Sequence, residues 1–257
     1  MEPERDERTS MAPTPHRRRR PGRDRPAPVL VTSVPLLLGA AAYTAWVLEV
    51  VLATGLDPLR AYLSELAAVD QPLGGLFRAT DLLAGLAVLI GSCCALLLLP
   101  RRRWATTGWA ALAVFGAATS VDSRLPLSCA PTRDESCAAR ETAGLVPATH
   151  TAHAVSSTTA VLAALTALVT FTHAARRYGW PLPLRTLGPP LVCAELAATA
   201  WALGATAAFQ TGRGTWSLGA GQRLQTLLVA VWIGALAVSV SRQQTPPPSC
   251  QPTPPPP

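Results

Sequence analysis

Lysine is missing from the chain: all 22 basic residues are arginine. Together with abundant alanine, glycine and proline, this points to a GC-rich bacterial genome and says nothing of mechanism. Charge of either sign is scarce, at 14% of the 257 residues, against about 25% in an average soluble domain. The metalloprotease motif H-E-x-x-H does not occur, and no internal repeat is long enough to mark an inverted-repeat transporter. No recognised lipidation signature surrounds Cys250. The net charge of +7 would by itself suggest nucleic-acid binding. Eight of the arginines, however, fall within the first 25 residues, directly ahead of the first apolar block. There they set membrane orientation, so the lipid bilayer, and not nucleic acid, is the partner the composition implies.

What the sequence has is long apolar runs. Val29–Leu52 is interrupted only by Pro35 and Glu49. It exceeds the roughly 7–15 residues of a signal-peptide core and reads as a retained anchor. The pair of arginines ahead of it is not followed by the short apolar core and cleavage site of a twin-arginine signal. Five further blocks follow at Leu82–Leu99, Trp104–Val121, Ala154–Thr172, Leu187–Phe209 and Leu224–Ser241. Each is close to the ~20 residues that carry a helix across a ~30 Å hydrocarbon core. The fold expected is therefore all-α: a polytopic membrane protein built as a bundle of six transmembrane helices over residues 29–241. The Arg/Pro-rich segment 1–28 is expected to be a disordered cytoplasmic tail, and the proline-rich segment 242–257 a second disordered tail.

Orientation follows from arginine placement. With the N-terminus cytoplasmic, 15 arginines lie inside and 7 outside; without residues 1–28 the count is 7 on each side. Arg101–Arg103 and Arg176–Arg177 abut their helices on the inner side, as the positive-inside rule requires. Both termini are thus expected in the cytoplasm of a bacterial cell, with the protein in the cell membrane.

This orientation gathers polar residues at the outer face. Glu49 lies late in the first block, Asp81 opens the second, Asp122 closes the third, and His150 and His153 open the fourth. The loop after the first block adds Ser64, Glu65 and Asp70. Ionisable groups at membrane depth are costly enough to mark function by default, although a solvated helix end accommodates any one of them. His150 and His153, at i and i+3, share a helix face if the helix starts before His150. With Asp122 as third ligand they can hold a metal such as zinc and leave a position for water. A proton-linked role and plain interfacial histidines are the alternatives. Ser156 and Ser157, one turn further in, are expected to bond back to helix carbonyls.

Cys129 and Cys137 flank an eight-residue step. On an outer, oxidising face they are expected to form a disulfide, with free thiols or a metal shared with the histidines as alternatives. Cys93, Cys94 and Cys193 lie inside apolar blocks and act there as small apolar residues. Glu195 is an intramembrane acid about 12 Å from the inner end of the fifth block, at 1.5 Å per residue. It is protonated, bonded to a neighbouring helix, or on a proton or substrate route. His173 ends the fourth block, where it complements the helix dipole. Ala200, Gly204 and Ala208 repeat every four residues, a spacing that permits close helix packing and that an alanine-rich genome also produces.

Ser64-Glu65-Leu66 after the first block, Asp122 with Pro126 after the third, and a histidine heading the fourth resemble the bacterial membrane-protein family called domain of unknown function 998. The resemblance covers roughly Pro35 to Ser241 and implies a fold of about six helices without an established activity. This chain has Val121-Asp122-Ser123 in place of an aromatic-proline lead-in and carries an additional two-cysteine loop. Ser64, Asp122, His150 and His153 are also similar in residue type to the serine, aspartate and histidines of ceramidase-like membrane hydrolases. The late histidine of that group is absent, since no histidine follows His173.

Three functions are compatible with these residues. The absence of a catalytic motif favours a non-enzymatic accessory, sensor or assembly protein. A metal-dependent hydrolase of a lipid or lipid-linked substrate would use Asp122, His150 and His153. A small proton-linked transporter would use Glu195.

Overall fold

The computed structural model describes residues 27–242. Of the two terminal segments expected to be disordered, residues 1–26 and 243–257 lie outside the described residues, with the N-terminal arginines and Cys250, while Ala27, Pro28 and Arg242 belong to helices. Among the described residues there are helices and no strands. Six long helices are α1 (Ala27–Tyr43), α2 (Gly74–Leu98), α3 (Arg103–Asp122), α5 (Ala148–Arg177), α6 (Leu184–Gln210) and α7 (Leu218–Arg242). A short helix, α4 (Glu135–Thr142), lies in the loop between α3 and α5. Five segments are long and apolar enough to cross a membrane: 28–50, α2, α5, α6 and α7. The sixth, α3, falls below that apolarity because threonine, glycine and tryptophan occupy its first turns. Its 20 residues nevertheless span about 30 Å, and it packs between α2 and α5. The chain is a polytopic helical membrane protein.

Each long helix packs on its chain neighbour, and α1 also packs on α7, which closes the six into a ring. Leucines and valines such as Leu38, Leu86, Leu97, Leu162 and Leu203 face outward, as the outer surface of a membrane bundle must. Small residues set the spacing inside. A Cβ on Gly116 would stand 2.7 Å from the Gly85 carbonyl oxygen, so α2 and α3 meet backbone to backbone there. Of the expected Ala200–Gly204–Ala208 stripe, Ala208 alone is buried. Ala200 and Gly204 are exposed, and Gly204 has open space where a Cβ would go. The buried face of α6 runs through Leu184, Gly188, Glu195, Ala198, Thr199, Ala202, Ala205 and Ala208.

The helices overrun the apolar blocks at their ends. The fourth block begins at Ala154, but α5 begins at Ala148; the sixth begins at Leu224, but α7 begins at Leu218 and takes in Arg223. Polar residues continue a helix past the hydrocarbon boundary, so hydropathy alone trims it. At the N-terminal end α1 stops at Tyr43, and a 3-10 segment, Ala45–Val50, continues the chain.

The two ends of the ring differ in filling. Toward the turns that carry Arg102 and Tyr178, the core is aromatic. Trp109 and Phe171 sit edge to face at 4.6 Å between ring centres, and Trp232 lies 6.0 Å from Phe171. Toward the opposite end, where the Cys129–Cys137 disulfide closes the α3–α5 loop, small and polar side chains leave a cavity.

A polar cavity under a disulfide-closed loop

All six long helices, together with the loop carrying Ser64, line this cavity of about 180 Å³. Its polar groups are Tyr43, Ser64, Asp81, Thr119, Asp122, Ser123, His153, Ser157, Glu195, Gln222, Gln225 and Thr226.

Asp122 is the hub on one wall. It ends α3 facing the second turn of α5, where His153, Ser156 and Ser157 project. One carboxylate oxygen accepts a hydrogen bond from Ser156 and lies 3.1 Å from His153 Nδ1. The other accepts from Ser157 at 2.8 Å. The approach of His153 Nδ1 is off line for a hydrogen bond, so the two groups touch without an aligned bond. Its Nε2 lies 3.4 Å from Ser157 Oγ. Ser156 also shares its proton with the carbonyls of Ala152 and His153. The two serines thus bond across to α3 as well as back along their own helix, because Asp122 presents both oxygens at their level.

Glu195 enters from the other wall. Since α6 begins at Leu184, Glu195 lies about 16 Å along the helix, deeper than the block boundaries imply and near the middle of the bundle. It faces the same cavity as the acids at the disulfide end. It is 1% exposed, and neither of its carboxyl oxygens has a hydrogen-bond partner. Beside it, Gln225 donates to Thr199 at 2.8 Å.

The residues expected to converge therefore divide. Ser64, Asp81, Asp122 and His153 meet at the cavity, and Glu195 joins them. Glu49, Glu65 and His150 do not line it. Glu49 is gripped by Arg223 at 2.6 and 2.7 Å. Glu65 turns toward the disulfide loop and accepts from Thr132 N at 2.8 Å and Thr132 Oγ1 at 2.5 Å. Burial pushes the Glu65 carboxyl up to about 7, against the downward pull of those two hydrogen bonds. Asp70 accepts from the Ala130 amide at 3.3 Å, so two acids pin the same loop.

The metal triad of Asp122, His150 and His153 does not assemble. The helix does begin before His150, which puts both rings on one side of it. One turn nearer the end, however, His150 meets the loop instead of the cavity. Its Nδ1 lies 3.1 Å from Ser128 Oγ and 3.4 Å from the Ser128 amide, and its Nε2 lies 3.8 Å from Glu141. Among the described residues no group of three or more His, Cys, Asp and Glu side chains could hold a metal ion.

Sequence reasoning missed Arg223 and the α7 polar face of Gln222, Gln225 and Thr226. A signal was present in each case. An arginine and a glutamate both sat at the same end of apolar blocks, and three polar residues within five positions opened the sixth block. Comparison with curated proteins and with solved structures finds no match for either. A family model described as "Protein of unknown function (DUF998)" matches residues 36–239, and the chain belongs to that family.

Proposed function

We propose that this protein is a non-enzymatic ligand-binding protein of the bacterial cell membrane, of the sensor or accessory class. Its termini are cytoplasmic, and its cavity is reached from the outer side. The observation that carries this reading is the cavity itself. It is enclosed by six helices and holds buried polar atoms without partners, among them both oxygens of Glu195, Thr119 Oγ1 and Trp46 Nε1. Each such atom costs about 1–3 kcal/mol unless something bonds to it, and a bound polar ligand supplies the missing partners. The orientation rests on the eight arginines within residues 1–25 and on Arg101–Arg103, Arg176 and Arg177, which abut their helices at the end opposite the disulfide.

The test is thiol accessibility in sealed right-side-out vesicles. Thr226→Cys, with Cys93, Cys94, Cys193 and Cys250 replaced by alanine, should react with a small membrane-impermeant thiosulfonate added outside. Adding Ala164→Leu, which fills the cavity, should slow that reaction. A thiol that reacts only from the inside, or not at all, overturns the reading.

A hydrolytic reading draws on one observation: Asp122, His153 and Ser157 follow one another in the contact order of an acid–base–nucleophile relay. Two features oppose it. The Ser157 proton goes to Asp122, and Ser157 lies mid-helix, where backbone N–H groups are already bonded and cannot stabilise an oxyanion. A fluorophosphonate probe that labels wild type and spares Ser157→Ala would reverse this ranking.

A further inference from the structure

We propose that the ligand of this cavity is a primary alkylammonium ion, with Glu195 as its counter-charge. The proposal rests on the ligand-binding reading above and names the chemistry that the cavity selects.

Charge comes first. Three carboxyl groups line the cavity, from Asp81, Asp122 and Glu195, and the one basic side chain among the lining residues is His153. The nearby guanidinium of Arg223 is committed to Glu49 and to the carbonyls of Ala61 and Gly219. An anion would find no free basic partner here, whereas a cation has carboxyl groups to take as its counter-charge.

Hydrogen bonding narrows the class. Asp122 is already served by Ser156, Ser157 and His153. Glu195, 1% exposed, makes no aligned hydrogen bond, and its polar neighbours Gln225 and Thr199 bond to each other. Its orphaned oxygens call for N–H donors as well as for charge. An ammonium group carrying N–H bonds provides both, while a quaternary ammonium provides charge alone.

Size and lining set the rest. A cavity of about 150 Å³ accepts benzene, so about 180 Å³ accepts one ammonium group with a short alkyl chain. Tyr43 and Phe115, edge to face at 5.4 Å, and Trp46 supply aromatic walls against which a cation and its methylenes pack favourably. Two sources carry this group: a free amine in water and the head of an ethanolamine phospholipid.

The experiment compares the two sources on full-length protein. In phosphatidylcholine nanodiscs, ethylammonium should raise the unfolding temperature of the wild type in a saturable way, and tetramethylammonium should not. Glu195→Gln, which keeps the shape of the side chain, should weaken the ethylammonium response at least tenfold. Asp81→Asn, with helix content checked by circular dichroism, should weaken it less. If the source is the lipid, nanodiscs of phosphatidylethanolamine should stabilise the wild type and not Glu195→Gln, and should blunt the effect of added ethylammonium. The proposal is overturned if neither amine nor ethanolamine lipid distinguishes the wild type from Glu195→Gln, or if tetramethylammonium binds as well as ethylammonium. Labelling of Thr226→Cys from outside in those same circumstances would leave the cavity as a ligand site and remove only the amine; failed labelling would remove both.

Discussion

Arg223 of α7 holds Glu49 through two hydrogen bonds of 2.6 and 2.7 Å across 174 positions of sequence. Both residues are buried, at 6% and 8% exposure. The fork geometry of arginine matches a carboxylate, and Nη1 of Arg223 donates to the carbonyls of Ala61 and Gly219. This pair ties the first membrane segment to the last helix, at the seam where the ring closes. Removing one partner strands the other as a buried charge, which costs about 3–5 kcal/mol. Arg223→Met or Glu49→Leu alone should therefore lower the unfolding temperature strongly. The double variant Glu49→Leu/Arg223→Met should recover most of the loss, because an apolar pair leaves no charge unmatched. A double variant no more stable than the worse single one would show that the pair does more than balance charge.

The ring was legible in the sequence as six blocks, because a bilayer demands about 20 apolar residues per span and few other structures do. Its closure was not. Arg223 lies in the polar first turns of α7, ahead of the apolar block, so hydropathy assigns it to a loop and leaves Glu49 without a partner. The depth of Glu195 was legible to within about one helical turn, but its direction was not, since depth follows from counting residues and direction from helix rotation. The rotation could have been read from the spacing of Glu195, Ala198, Thr199, Ala202 and Ala205, all buried. For the histidines, shared helix face was the right inference and shared target was not. A loop that descends on the first turn of α5 captures one ring and leaves the other to the cavity, and nothing local in the sequence encodes that loop's path.

The separation of the two histidines is measurable. His150→Ala removes the contacts to Ser128 and should speed amide exchange in residues 123–134 by roughly fivefold to tenfold, equivalent to about 1 kcal/mol. The ethylammonium response should remain. His153→Ala removes an imidazole from the cavity wall and should change that response, with little effect on loop exchange. Equal effects of both substitutions on both readouts, or stoichiometric zinc lost equally in both, would show that the rings act together after all.

Glu65 makes the loop sensitive to pH. The side chain is fully buried, and burial raises its carboxyl from the usual 4.5 to about 7, with Asp70 and Glu141 adding to the rise against the Thr132 hydrogen bonds. The folded loop therefore holds the proton more tightly than the unfolded one. Its stabilisation is fully present below about pH 4.5, declines between 4.5 and 7, and is flat above. The difference is on the order of 3 kcal/mol at most. Hydrogen-exchange protection of residues 63–67 and 128–134 should accordingly fall as pH rises through that window, after correction for intrinsic rates. Glu65→Gln should flatten the profile. Protection that rises with pH in the wild type would contradict the assignment.

Two glycines of similar appearance in the sequence should respond oppositely to alanine. Gly116 faces the backbone of α2, and a Cβ there would stand 2.6 Å from Leu89 N and 2.7 Å from Gly85 O. Neither atom belongs to a flexible side chain, so α2 and α3 would have to part, at about 1–3 kcal/mol for overpacking. Because Asp122 lies on the same helix, that separation would also shift the wall of the cavity. Gly204 has nothing within 4 Å of its Cβ position, and Gly204→Ala should change stability by less than about 0.5 kcal/mol. Thermal unfolding in nanodiscs separates the two cases. If Gly204→Ala proved the more damaging, the exposed face of α6 would be a packing surface in the membrane, and the stripe of small residues there would have a partner that the isolated chain does not show.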